Sequence, residues 1–314
     1  MPTNDERHQL AALVEPLRVE PGSRIDVAKD LDPRLDPGIR RKAGDGLLAE
    51  SLSQLSEYQS RLAAQDAWAV LVVLQAMDAA GKDGTIRHVM SGVNAQGVRV
   101  ESFKRPSDEE LDHDYLWRHA QRLPARGQIG IFNRSHYEEV LAVRVHAEAL
   151  DREKLPQRTA GRRLWKGRFD EINAWERYLT NNGIRIVKLF LNVSREEQRT
   201  RLLRRLDLPD HNWKFSIADM EERRLWDEYQ VAYSDMLSRT STPWAPWYAI
   251  PADRKWFMRL CAAAVIVDAL KAIDPQYPAV DAARQAELQD VRKALMAEAP
   301  EGAAADPFQA KHAP

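Results

Sequence analysis

The sequence predicts a three-layer αβα protein built on a parallel sheet, and three observations carry that reading. Short apolar runs alternate with helical stretches along most of the 314 residues. The first run, AVLVVLQ at 69–75, is continuous rather than alternating, as in a strand buried on both faces. It leads into a Gly81-Lys82 pair at the start of a helical segment, the setting of a phosphate-binding loop.

The elements follow in order. Residues 1–45 are rich in Asp, Arg, Pro and Gly without sustained periodicity and read as an irregular arm. Residues 47–64 place Leu and Tyr at helical spacing. After the first strand come VRVESF (98–103) as a strand and DEELDHDYLWRHAQRL (108–123) as a helix with an acidic first turn. IGIFN (129–133) is a strand, RFDEINAWERYLTNNG (168–183) a helix closed by Asn-Gly, and IRIVKLFLNV (184–193) the strongest strand. Ser194 with Glu197 forms a capping box for the next helix. Residues 217–238 form a second long helix, WYAIPA (247–252) a short strand and 255–273 the last core helix. The tail from about 279 is Ala-rich, one helix and then a disordered end. Strands alternating with helices require βαβ crossovers and hence a sheet covered on both sides.

Composition narrows the function classes. The 46 basic and 47 acidic residues nearly cancel, so any polyanionic partner must be held by local charge. Cys261 is the only cysteine, which excludes an intrachain disulfide and a thiolate zinc cluster. Five of the eight histidines lie between His88 and His146, at spacings that fit no zinc motif, although His136 could touch a phosphate. The charged start MPTNDERHQL and the shortness of the apolar stretches at 68–74 and 261–267 predict a cytoplasmic protein without membrane contact. Aromatic residues sit in core patterns rather than on basic stretches, so nucleic acid is not an expected partner.

The loop itself departs from the common phosphate-loop pattern. Ala76 stands where the first Gly belongs, and Asp83 where a hydroxyl would hold magnesium. The candidate anion site runs through Ala79, Ala80, Gly81, Asp83, Gly84 and Thr85 at the helix start, with Lys82 as a point charge on bridging oxygens. Asp78 beside a phosphate makes sense as a magnesium ligand, because an unscreened carboxylate there would repel the anion. Ligands of parallel sheets gather at the carboxyl ends of the strands. Lys104, Arg105, Arg118, Arg134 and Arg144, which follow the second and third strands, should therefore converge on Lys82. Asn133 occupies a position that often carries a metal-steering Asp, with Glu138 and Glu139 close behind to supply a carboxylate. Further on, Arg195, Arg199, Arg201, Arg204, Arg205 and Lys214 resemble the cations of a mobile lid, Arg201 and Arg205 sharing one helical face. Trp213, Trp226, Trp244 and Trp247 line a pocket or interface or pack in the core, the core being the expectation for at least two.

Three segments in this order, MDAAGKDGTIRHVMSGVN, FNRSHYEEVL and NWKFSIADMEERRLWDEY, resemble polyphosphate kinase family 2, as do SFKRPSDEELDHDYLWR and APWYAIPADRKWFMRL. The likeness covers about residues 47–275. It implies a thymidylate-kinase-like P-loop fold with a helical lid, and reversible phosphoryl transfer between inorganic polyphosphate and nucleotides with magnesium, or manganese in its place. Carried over, it implies metal and phosphate roles for Asp78 and Lys82, a second motif at Asn133-Arg134, and lid cations at Arg201, Arg205 and Lys214. FNRSHYEE resembles the branch that phosphorylates both nucleoside mono- and diphosphates, AMP to ADP and ADP to ATP. In this scheme Lys82, Arg134, Arg201 and Arg205 are catalytic with Asp78, Lys104 and Arg118 guide polyphosphate, Asn133 and Glu138 meet the nucleotide, and Asp78 with Glu138 holds the metal. The expected organisation is an arm (1–45), a phosphotransferase domain (46–275, lid about 194–240) and a tail (276–314), assembled as a homo-oligomer, dimer or tetramer. An ATP-dependent nucleoside monophosphate or small-molecule kinase on the same fold is the alternative enzyme, and a polyanion-binding protein the non-enzymatic one.

Overall fold

The computed structural model describes residues 12–36, 38–155 and 162–300 together with positions 304 and 306. The chain divides into two compact units, Met1–Gln276 and Tyr277–Pro314. The first holds five parallel strands: β1 (Ala69–Gln75), β2 (Val98–Ser102), β3 (Ile129–Asn133), β4 (Ile184–Asn192) and β5 (Trp247–Pro251), in the order β2-β3-β1-β4-β5. β1 lies in the middle and is buried at all seven positions, which explains its unbroken apolar sequence.

Around the sheet run α1 (Arg41–Gln65), α2 (Lys82–Val89), α3 (Arg162–Asn181), α4 (Arg195–Asp207), α5 (Ile217–Arg224), α6 (Trp226–Thr240) and α7 (Lys255–Ile273). α7 is apolar nearly all round and buried from Phe257 to Leu270 except at Arg259 and Asp268, packing against α1, α2 and β4. Gly44 of α1 makes room for Trp256 of α7, since an added Cβ there would lie 2.3 Å from the Trp256 ring. α3 and α6 pack together, α3 against β4. No helix among the described residues is long and apolar enough to cross a membrane.

The strands match the sequence expectation to within a residue or so. Several helices differ, each for a local reason. The helix expected over 108–123 is two short pieces, Asp108–Leu111 and Trp117–Ala120. Between them the Asp114 carboxylate accepts from Leu116 N (3.0 Å), an Asx turn that competes with helix continuation. The long helix expected over 217–238 breaks at Leu225, whose N–H takes the Glu222 carbonyl three residues back (3.2 Å) before α6 begins. α1 and α3 start six residues earlier than expected. Ser194 does cap α4, accepting from Glu197 N (3.1 Å), but the box is incomplete. Glu197 pairs with Arg201, and Ser194 N donates to Asp253 Oδ1 (2.8 Å).

The described part of the amino-terminal arm, residues 12–36 and 38–40, carries only short helical turns at Glu15–Leu17 and Val27–Asp30, and it is docked. Val19 N donates to Trp247 O (2.8 Å), Arg18 bridges Tyr248, and Leu17, Val19 and Val27 are buried. The arm thereby covers the outer edge of β5, which would otherwise offer unpaired backbone groups. In the second unit, the helix Ala282–Ala297 is capped by Asp281, which accepts from Arg284 N (2.7 Å). The expected disordered end lies almost wholly outside the described residues.

Candidate active site

The loop between β1 and α2 is shaped by backbone conformations that few side chains favour. Ala79 (φ 62°) and Gly81 (φ 111°) both lie in the left-handed region. Gly81 suits this position, since a Cβ there would also meet Met258 at 3.2 Å. The resulting turn aims the first N–H groups of α2 toward the carboxyl edge of the sheet, a ready anion site. Thr85 is turned inward, its hydroxyl donating to Gly81 O (3.0 Å). Lys82 folds back along the loop and donates to Ala76 O (2.8 Å) and Met77 O (3.3 Å). Burial, then Arg134, holds its ammonium pKa below the ordinary value against the pull of Asp78, Glu138 and Asp83.

Across from this loop, β3 delivers Asn133 and Arg134. Arg134 takes the left-handed conformation (φ 62°), and its N–H donates to Leu74 O (3.2 Å). That turn swings the guanidinium over the phosphate loop, where Nη2 donates to Asp78 Oδ1 (2.7 Å) and Nη1 lies 3.9 Å from Glu138 Oε2. Burial alone would raise the Asp78 pKa, but Lys82, Arg134 and Arg205 together outweigh it and keep the carboxyl ionised below its usual range. Glu138, with Asp78, raises the pKa of Arg134 despite its burial. Asn133 does not face outward as a ligand group: its Nδ2 donates to Asp83 Oδ1 (2.7 Å), tying β3 to the start of α2. Its Oδ1 is buried with no partner among the described residues.

The cations of the segment expected to form a lid are arranged differently. Arg201 donates from Nη1 to Ala80 O (2.5 Å) and Ala79 O (3.3 Å), from Nη2 to Ala252 O (2.5 Å), and from Nε to Glu197 (2.7 Å). It is a clamp on the loop's outer side. Gln198, one turn earlier, donates to Asp78 O (3.0 Å). Arg205 bridges to Asp219 of α5 (3.0 Å) and lies within electrostatic reach of Asp78. The side chain of Lys214 lies outside the described residues.

A cavity of about 1170 Å³ opens at the carboxyl ends of β1, β2 and β3. Asp78, Lys104, Arg118, Arg134 and Glu138 all line it, so the sequence reading brings these five to one place. Within it their situations diverge. Lys104 is exposed, whereas Arg118 is buried against Phe103 and donates to Lys104 O (2.8 Å). Arg105 lines the cavity too, but Arg144 turns away to Asp235 (2.6 Å). His136 does not reach the cavity: it is fully buried, with Nε2 3.4 Å from Glu176. Trp226 and Trp247 are core residues.

Sequence reasoning missed Gln198, Asp219, Tyr229 and Tyr233, of which the last three line the cavity. It also missed Arg168, which reaches the cavity wall from α3 and grips Glu139 through its carbonyl (3.0 Å) and its carboxylate (3.2 Å). The run of Arg among aromatic residues in RRLWKGRF was the only available hint.

The donor set suits one kind of metal site. Among the described residues no three His, Cys, Asp or Glu side chains gather closely enough to enclose an ion. A hard divalent cation that takes one or two carboxylates from protein and the rest from substrate phosphates and water fits the ionised Asp78 and neighbouring Glu138.

Comparison with known proteins agrees with this geometry. The chain matches the family model "Polyphosphate kinase 2 (PPK2)" over residues 39–278. It is 48% identical over 281 residues to an ADP-polyphosphate phosphotransferase of Rhodopseudomonas palustris, covering 89% of this chain and 97% of that one. It is 44% identical over 272 residues to an AMP/ADP-polyphosphate phosphotransferase of Meiothermus ruber, covering 85% and 97%. The crystal structure of polyphosphate kinase 2 from Arthrobacter aurescens TC1 superposes with a TM-score of 0.80 at 39% identity, covering 88% of this chain and 96% of that one. With its parallel sheet, phosphate loop and cavity in place, this chain belongs to the polyphosphate kinase 2 family.

Proposed function

We propose that the protein transfers a phosphoryl group from inorganic polyphosphate to nucleoside mono- and diphosphates, reversibly. The observation that carries this reading is the Asp78–Arg134 pair (2.7 Å) spanning the mouth between phosphate loop and β3, beside Lys82. A carboxylate kept ionised among cations, next to an anion site, serves a metal-bridged phosphate better than a bare one. The printed activities of the Rhodopseudomonas and Meiothermus relatives, an ADP and an AMP/ADP phosphotransferase, support both acceptors.

The terminal phosphate oxygen of the nucleotide attacks the end phosphorus of polyphosphate in line. A new P–O bond forms as the bridging P–O bond breaks, and the shortened polyphosphate leaves with the electron pair. The attacking oxygen is already ionised near neutral pH, so no strong general base is needed. Lys82 and the α2 amides hold the phosphates at the loop, and Arg134 neutralises charge on the transferring group. Arg205 approaches from the lid side, while Arg201 and Gln198 keep the loop in shape. Asp78 and Glu138 would hold magnesium, or manganese in its place, which would supply charge neutralisation to the reacting phosphates. Lys104 guides the incoming chain from the exposed rim.

A coupled assay with magnesium, polyphosphate and either AMP or ADP tests this directly. ATP from both acceptors, abolished in Lys82→Ala, is expected. Product from ADP alone would narrow the acceptor class. Turnover with ATP and a small acceptor, but none with polyphosphate, would reassign the protein to ATP-dependent kinases.

A further inference from the structure

The turn that carries Arg134 and Glu138 rests on charged groups sealed inside the protein. His136–Val140 is a single 3-10 turn, and Ser135, His136, Tyr137 and Glu139 around Glu138 are all buried. The two residues flanking Glu138 are both gripped by α3. On one side Tyr137 Oη donates to Glu176 Oε1 (2.7 Å) and accepts from Lys188 Nζ (2.9 Å). On the other, Arg168 holds the carbonyl and carboxylate of Glu139. Arg168 and Glu176 lie eight residues apart on the buried stripe of α3, and both are 2% exposed or less. Lys188, in the middle of β4, is fully buried, donating to Glu176 Oε2 (2.7 Å) and Thr240 O (2.6 Å).

A buried ion pair is weak evidence for stability, because an apolar core of the same shape is often as stable or more so. Its geometry, however, is directional in a way that apolar packing is not. Here the directed bonds end on the turn that follows closely on Arg134, which sits in the left-handed region that disfavours a side chain. We propose that Lys188 and Glu176, with Arg168, are positioning residues: they act through Tyr137 and Glu139 to fix Arg134 and Glu138 at the phosphate-loop mouth. Lys188, Glu176 and Tyr137 do not line the cavity, and Arg168, which reaches its wall, is engaged by Glu139 and Glu153. The inference rests on the phosphotransferase reading above.

Tyr137→Phe is the decisive variant, since it removes only the hydroxyl and keeps the ring against Trp247 (4.8 Å between centroids). The expected result is a kcat about tenfold lower, as a small misplacement of reacting groups gives. Polyphosphate KM, set at the Lys104 rim, should stay within about twofold, while magnesium-ADP affinity by equilibrium dialysis weakens along with kcat as Glu138 shifts. Glu176→Gln should behave alike, and Arg168→Lys in the same direction. The apolar triple variant Tyr137→Phe/Glu176→Leu/Lys188→Met should melt no lower than the parent yet keep the kcat defect. Leu55→Ala, a cavity in α1, serves as control, with a lowered Tm and unaltered kcat when assayed well below that Tm. Wild-type kcat in Tyr137→Phe and Glu176→Gln would overturn the inference alone. A wild type without polyphosphate-dependent turnover would overturn the functional reading, and the inference with it.

Discussion

Arg134 and Arg201 approach the same loop from opposite sides, and they do different things there. Arg134 reaches over from β3 and meets a carboxylate at the edge of the cavity, its side chain 41% exposed. Arg201 reaches over from α4 and meets backbone carbonyls on the far side, 7% exposed. A guanidinium saturated by carbonyls has no donor directed at a ligand and serves the shape of the loop. One held by a single carboxylate oxygen at a cavity wall keeps donors for phosphate. The lesson is that a cation near a phosphate loop is assigned by how many of its donors are already engaged rather than by its distance: Lys82, with two of its three on loop carbonyls, keeps one for phosphate.

The largest test of this contrast is Arg134→Ala. It should lower kcat by about 10²–10³-fold, the usual cost of losing a transition-state donor, with little change in Tm. The Asp78 pKa should rise at the same time, because one of the cations opposing burial is gone. A kcat within about tenfold of wild type would remove Arg134 from the reaction.

Arg201→Ala should show the opposite pattern. Its loss leaves the Ala80 and Ala252 carbonyls buried and unpaired, each costing about 1–3 kcal/mol. We expect urea unfolding to report a loss of about 3 kcal/mol, with any fall in kcat following the loosened loop. Full stability beside a lost kcat would make Arg201 a donor to substrate after all and dissolve the comparison.

How far the sequence shows this distinction depends on the range of the contacts that create it. The strands were legible because a parallel strand buried on both faces leaves an unbroken apolar run, as β1 does. The placement of Asp78, Arg134 and Glu138 along one cavity was legible because they follow within a few residues of strands whose carboxyl ends gather there. The helix breaks at 112–116 and Leu225 were not, since each turns on one local hydrogen bond that competes with the helix. The docking of the arm was hidden because it depends on the open edge of a strand more than 200 residues away. Arg201 looked like a lid cation because its carbonyl partners lie 121 and 51 residues off in sequence. Lys188 was passed over although it left a trace: a lysine inside IRIVKLFLNV must find a buried partner, and the structure supplies Glu176.

A third effect separates the cavity wall from the loop by pH. Burial, helped by Glu153 and Glu138 and opposed by Arg168 and Arg118, pushes the Glu139 carboxyl up to about 7. Its folded pKa thus lies above the unfolded one, so its contribution to stability is fully present below about 4.5 and is lost as pH rises through 7. Asp78 has the reverse sign: its contribution is present above the ordinary aspartate pKa and is lost as pH falls through the lowered one. Glu139→Gln keeps an acceptor for Arg168 but removes the titration. Between pH 5 and 7 the urea-unfolding free energy of wild type should fall relative to this variant, by at most about 1.4 kcal/mol per pH unit. Parallel pH profiles for the two proteins would show that Glu139 stays ionised throughout, held by its two arginines.

The smallest effect comes from repeating the comparison inside one strand connection. Arg118 is pinned, donating to Lys104 O and packed on Phe103, while the ammonium of Lys104 is exposed on the cavity rim with no side-chain partner among the described residues. By the partner rule Lys104 should feel the polyanion and Arg118 should only shape the rim. Lys104→Ala should raise polyphosphate KM by about two- to fivefold, under 1 kcal/mol, as for a solvated charge contact. It should leave kcat and Tm alone. Because each cation that binds a polyanion releases condensed counterions, the slope of log KM against log salt should shallow by roughly one contact, by analogy with nucleic acids. Nucleotide KM should not move. Arg118→Lys should instead lower Tm without altering the salt slope, since its replacement still carries charge but cannot keep the same donor geometry. If both variants shallow the salt slope equally, the rim reads polyphosphate as a diffuse charge field, and the partners of each cation no longer predict its role.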